Sequence, residues 1–231
     1  MRLTFVLGLV AFAISATLAA QAPIEPSAAS ADFPNLKRYR EANAAVLQSA
    51  TRPRVIFLGD SITEYWGSRQ GKWFTHPGWL NRGIGGQTTA QLLLRLNDDV
   101  LGLHPEAVVI EGGGNDMRLG FSPTEIRDRV QSIGELAALH HLTVFVVTMT
   151  PVCDCVRPLT GLRTVERVRE LNSILAALSK AHGWTLIDNN APVADGEGKM
   201  RADLTVDGVH LNDAGYSLMQ PAFESALKHY R

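Results

Sequence analysis

Four short runs, far apart in a chain of 231 residues, carry side chains able to do acyl-transfer chemistry: Gly59-Asp60-Ser61, Gly83-Ile84-Gly85-Gly86, Gly113-Gly114-Asn115-Asp116 and Asp207-Gly208-Val209-His210. A serine hydroxyl is a poor nucleophile near neutral pH and needs a base within hydrogen-bond reach. Of the seven histidines, His210 has the most informative setting. Asp207 precedes it by one turn of chain, close enough to fix its tautomer and stabilise the imidazolium formed when Ser61 gives up its proton. Gly86 and Asn115 are candidate donors to an oxyanion. Taken singly, each run has a blander reading. Gly-Asp-Ser can be a turn and helix cap, Asp-x-x-His a capped turn or two metal ligands, the glycine loop a tight turn, and Asn115 a turn residue. The glycine loop lacks the Lys and Ser/Thr spacing of a phosphate loop, which disfavours nucleotides. The four runs in one order, each after a strand or before a helix, outweigh the separate readings.

Elements to position these groups are legible after residue 53. Buried-strand patterns at Val55 to Leu58, Trp79 to Arg82, Ala107 to Ile110, Thr143 to Thr148 and Trp184 to Ile187 alternate with helical stripes. The stripes are Leu36 to Val46, Thr88 to Val100, Ile126-Val130-Ile133-Leu136-Leu139 and Val165-Val168-Leu171-Leu175-Leu178. A last helix is predicted from Asn212 or Asp213, with Pro221 bending or interrupting it. Such alternation predicts an α/β fold with a parallel sheet covered on both faces. Ser61 and Asn115 then fall just past the carboxyl ends of the first and third strands, on the rim where open parallel sheets bind ligands.

Composition, 45% hydrophobic and 19% charged, suits one ordinary domain, and a net charge of -1 gives no footprint for nucleic acid or anionic membrane. Arg2, an apolar run from Leu3 to about Ile14 and a small-residue end predict a signal peptide over residues 1–22. The run is shorter than the roughly 20 residues of a spanning helix. Export to the periplasm or medium is therefore expected, with no stable membrane insertion after cleavage. Residues 23–33 read as a linker and 34–231 as the folded domain. The only cysteines, Cys153 and Cys155, are expected to be unpaired or structural, since a bridge across so small a ring is strained; a local disulfide in an oxidising compartment is the alternative, and a zinc site is disfavoured.

The four runs resemble those of the GDSL or SGNH hydrolases, over most of the chain from about Arg54 to Tyr216. The resemblance implies a three-layer α/β/α sandwich with a five-stranded parallel sheet of flavodoxin-like order. It implies Ser61 as nucleophile, Asp207 and His210 as its partners, and the Ser61 amide joining Gly86 and Asn115 in the oxyanion hole, without metal or cofactor. Ile62 stands where the family's nickname has Leu. Asn81-Arg82-Gly83-Ile84-Gly85-Gly86 is similar to the small esterases related to platelet-activating-factor acetylhydrolase. The G-x-S-x-G elbow of α/β-hydrolases is absent around Ser61. The expected activity is hydrolysis of short-chain esters, acetyl preferred, of carbohydrate or small lipid-like alcohols. A catalytically silent exported glycan-binding protein and a thioesterase are the alternatives. Trp66, Trp73 and Trp79 could wall a pocket or anchor the core, and the loop from Cys153 to Gly161 is a candidate for substrate contact.

Overall fold

The computed structural model describes residues 31–231. The expected signal peptide and the 23–30 part of the linker lie outside the described residues. The apolar runs form strands β1 (Val55–Gly59), β2 (Trp79–Gly83), β3 (Ala107–Ile110), β4 (Thr143–Val147) and β5 (Thr185–Ile187). All pairings are parallel, and the order is β2-β1-β3-β4-β5. Helices α1 (Arg40–Gln48), α2 (Ser61–Tyr65), α3 (Thr89–Leu94), α4 (Leu96–Asp99), α5 (Gly114–Arg118), α6 (Pro123–Leu139), α7 (Val165–His182) and α8 (Asp213–Ala226) complete the core framework.

Strand side chains alternate between the two faces. Ile56, Leu58, Val108, Ile110, Val144 and Val146 pack against Leu92, Leu96, Ile126, Ile133, Leu171 and Leu175 on one side. Val55, Phe57, Val109, Phe145 and Val147 pack against Ile62, Trp66, Tyr216, Met219 and Phe223 on the other. The result is the expected three-layer sandwich. Each fully buried aliphatic or aromatic side chain contributes roughly 1.5–3 kcal/mol. Because β1 lies between β2 and β3, its exit through α2 and the β3 exit toward α6 go to opposite faces. A crevice opens at that switch point.

Three local expectations are corrected. The helix expected from Thr88 to Val100 is broken at Arg95 (φ -100°, ψ 3°), whose side chain is wholly buried and turned inward. Leu136 and Leu139 are 41% and 74% exposed, because three-residue steps drift around the helix and Ala137 takes the core position after Ile133. Pro221 does not interrupt α8, which runs on to Ala226 with Tyr216, Met219 and Phe223 buried along it. The cap at Asn212 is as expected, accepting from Gly215 N–H at 3.0 Å.

Candidate active site

Ser61 opens α2 directly after β1, and the turn is set by Asp60, whose carboxyl accepts from Ile62 N–H at 2.9 Å. Ser61 Oγ lies 3.0 Å from His210 Nε2, and His210 Nδ1 lies 2.8 Å from Asp207 Oδ2. Asp207 Oδ1 also accepts the Val209 and His210 amides at 2.9 and 2.8 Å. These bonds bring hydroxyl, imidazole and carboxylate into line. Burial alone would raise Asp207, but the His210 amide and ring, then the Val209 amide, hold its carboxyl well below the usual carboxylate range. The Asp207-to-His210 segment is a tight excursion closed by a Thr205–Leu211 bridge, with Thr205 Oγ1 donating to His210 C=O at 2.7 Å and accepting Gly208 N–H at 2.9 Å.

The candidate oxyanion donors are placed unequally. Gly86 has φ +81°, stands in open surroundings, and its N–H bonds no other described residue. A Cβ on its neighbour Gly85 would stand 3.6 Å from Ser61 Cβ, so this loop abuts the serine, although Gly86 does not line the cavity described below. Gly85 N–H is committed to Glu64 Oε2 at 2.7 Å. Asn115 Nδ2 donates to Gln87 C=O at 3.0 Å and Asp60 Oδ2 at 3.2 Å. Donation to an oxyanion would require it to exchange one of these bonds.

Beneath the serine lies a network absent from the sequence reading. Glu111, at the end of β3, accepts from Thr63 Oγ1 at 2.9 Å and from Asp60 N–H at 3.2 Å. Burial raises both carboxyls, and the neighbouring charge of Glu111 adds to the rise of Asp60, well above the usual range. Arg95 donates to Gly59 C=O at 2.8 Å, Gln87 Oε1 at 2.6 Å and Asp99 Oδ2 at 2.9 Å, tying the serine turn to the glycine loop. Asp116 accepts from Thr89 N–H and Oγ1 at 2.9 and 2.6 Å, joining the Asn115 turn to the start of α3. The Tyr65 ring packs on His210, centroids 4.9 Å apart. A sequence signal existed for Arg95 alone: a charge between the core positions Leu92 and Leu96.

Ser61, Asn115, Asp207 and His210 line one cavity of about 220 Å³, with Ile62, Met149 and Val152 among its apolar walls. A larger hollow, about 560 Å³, sits at the opposite end of the sheet beside Pro53, Glu106 and Thr143, away from this hydroxyl–imidazole pair. The loop after Cys153 supplies Arg157 and Leu159 to the cavity that Ser61 and His210 line. Trp66 and Trp79 are core residues, each 3% exposed, and Trp73 packs edge-on against Phe57. Contrary to expectation, Cys153 and Cys155 form a disulfide; their Cα atoms stand 5.2 Å apart, within bridging range. Among the described residues no cluster of three or more His, Cys, Asp or Glu could hold a metal.

The model of the GDSL-like lipase/acylhydrolase family matches residues 57–218, more than half of the chain and all four runs. The chain belongs to that family. Solved structures place it among GDSL-like folds. A protein of Bacteroides fragilis assigned as an acylhydrolase is 30% identical, with 87% of this chain and 99% of that one covered at TM-score 0.78. A GDSL-like lipase of Bacteroides thetaiotaomicron is also 30% identical, with 86% and 100% covered at TM-score 0.74. An acetyl xylan esterase is 26% identical, with 75% and 99% covered at TM-score 0.59. A comparison with curated proteins finds no significant match. For this GDSL-like chain, the family match spans all four motif runs.

Proposed function

We propose that the chain is a serine esterase of short-chain acyl esters, acetyl preferred, on carbohydrate or small lipid-like alcohols, exported through residues 1–22. One observation carries this: Ser61 Oγ, His210 and Asp207 stand in relay at 3.0 and 2.8 Å on a cavity of about 220 Å³. His210 takes the Ser61 proton as the hydroxyl attacks the ester carbonyl, and the imidazolium is stabilised by Asp207. The oxyanion rests on the amides of Ser61 and Gly86 and on Asn115 Nδ2. His210 then protonates the leaving alcohol, and water repeats the sequence on the acyl-enzyme. The cavity is smaller than the roughly 300–1,000 Å³ typical of drug-sized ligand sites, which favours short acyl groups.

Turnover of p-nitrophenyl esters from acetyl to decanoyl, beside acetylated xylan, tests the reading. Activity should fall with acyl length, and Ser61→Ala should abolish it while keeping the wild-type circular dichroism spectrum and melting temperature. Undiminished turnover by a folded Ser61→Ala variant would sink the nucleophile assignment. A flat acyl-length profile would overturn the preference for short chains.

A further inference from the structure

Three arginines open onto the catalytic cavity: Arg118 at the end of α5, Arg157 in the loop after Cys153, and Arg163 just before α7. Hydrolysis of a neutral ester needs none of them, because the oxyanion has its amide donors. Arg163 is 6% exposed, and burial followed by the neighbouring charge of Arg118 lowers its guanidinium from the ordinary value. One Nη2–H goes to Leu159 C=O, while the buried Nε has no partner among the described residues. Asp60, Asp207 and Asp154 attract Arg163 at longer range, but none forms an ion pair with it. Asp60 holds the Ile62 amide at 2.9 Å and the Asn115 side chain at 3.2 Å, and Asp207 is committed to His210 and, at 3.0 Å, to Arg157. Among the described residues, Arg118 has no salt-bridge partner either.

Asp60, Glu111 and Asp207 line the same cavity, but none forms an ion pair with Arg118 or Arg163, so two like-charged forks there are left for an added anion to pair. Planar guanidinium donors match a carboxylate in shape and number. We infer that the cavity takes an ester carrying a carboxylate on its acyl or its alcohol portion, seated between Arg118 and Arg163, with the exposed Arg157 turning toward it only by giving up its Asp207 contact. This rests on the esterase reading above.

Matched pairs distinguish the two portions: para-acetoxybenzoate against its methyl ester for the alcohol side, and mono-p-nitrophenyl adipate against p-nitrophenyl hexanoate for the acyl side. In one pair or both, the wild-type protein should prefer the anionic member in kcat/KM by about tenfold, the size of a charge-assisted contact. Added salt should erode that preference. Arg118→Gln, at the surface, should reduce it to near unity and Arg118→Lys should restore part. Arg163→Gln should do likewise, provided its melting curve shows it folded. Equal kcat/KM within both pairs overturns the anion subsite while leaving the esterase standing. If no ester is cleaved, the esterase reading fails first. Calorimetry with para-hydroxybenzoate then decides the subsite: binding lost in Arg118→Gln supports it, and absence of binding overturns it.

Discussion

Asp207 carries four hydrogen-bonded contacts on two oxygens: the Val209 and His210 amides on Oδ1, and His210 Nδ1 and Arg157 on Oδ2. Its carboxyl is held below the ordinary 3.8 in the folded chain, so its contribution to stability is fully present above that value and is lost as pH falls toward the native one. Asp207→Asn should therefore lower the melting temperature most at about pH 6, with the gap to wild type closing below about pH 3. A gap independent of pH, measured by scanning calorimetry, contradicts this account. The same variant should lose roughly three to four orders of magnitude in kcat, because the wrong imidazole tautomer is favoured. Asn115 makes a different prediction, since its side chain already has two acceptors. Asn115→Ala should cost about 10²–10³ in kcat, with KM changed far less, if an oxyanion replaces the Asp60 contact in the transition state. Steady-state kinetics on p-nitrophenyl acetate separates the two parameters, and an unchanged kcat excludes Asn115 as a donor.

At the level of elements, the excursion holding Asp207 and His210 depends on Gly208. Its φ is +97°, and a Cβ there would stand 2.2 Å from Cys153 C=O, whose own N–H bonds Gly208 C=O at 2.9 Å. Gly208→Ala must therefore shift either the His210 segment or the disulfide loop. It should cost more than the ~1 kcal/mol typical of alanine at an incompatible φ, and thermal denaturation with kinetics should show both losses. Stability and kcat within error of wild type would contradict this coupling. Arg95 is the second brace, gripping Gly59, Gln87 and Asp99 from wholly within the core. Arg95→Met leaves Asp99 buried without its cation and should cost about 3–5 kcal/mol, the penalty for breaking a buried pair. Urea denaturation measures it. Gly208 was legible as part of a motif, since glycine between charged and apolar residues marks a turn. Arg95 and Glu111 were not assigned, because their partners lie on other elements and a periodic pattern describes one segment at a time. The break at Arg95 has the same origin: local spacing favours one helix, while three buried acceptors turn the side chain inward.

Across the whole molecule, the legible part was what repetition along the chain encodes. Five apolar runs and the stripes between them gave the layers; three of the four motif runs follow strand ends, and the Asp207-to-His210 run precedes the last helix. The pairing of Cys153 with Cys155 is the alternative that ring size disfavours, because spacing along the chain does not show that the loop holds the two Cα atoms at 5.2 Å. That pair bears on where the chain works, since disulfides persist in oxidising compartments. Among the described residues, every strand, the serine, the Asn115 turn and the Asp207-to-His210 excursion lie at or after Val55. Residues 1–22 have a basic start, an apolar run and a small-residue end, the order that export machinery reads. We propose that they are removed on export. When the full chain is made in a bacterial host, the active protein should be recovered outside the cytoplasm with its first residue near Pro23, as N-terminal sequencing will read. Arginine at both Leu7 and Leu9 breaks the apolar run and should hold the chain in the cytoplasm at its full length. Recovery of wild-type protein only in the cytoplasm, with Met1 retained, contradicts export, and an unprocessed membrane-bound form would make the segment an anchor instead.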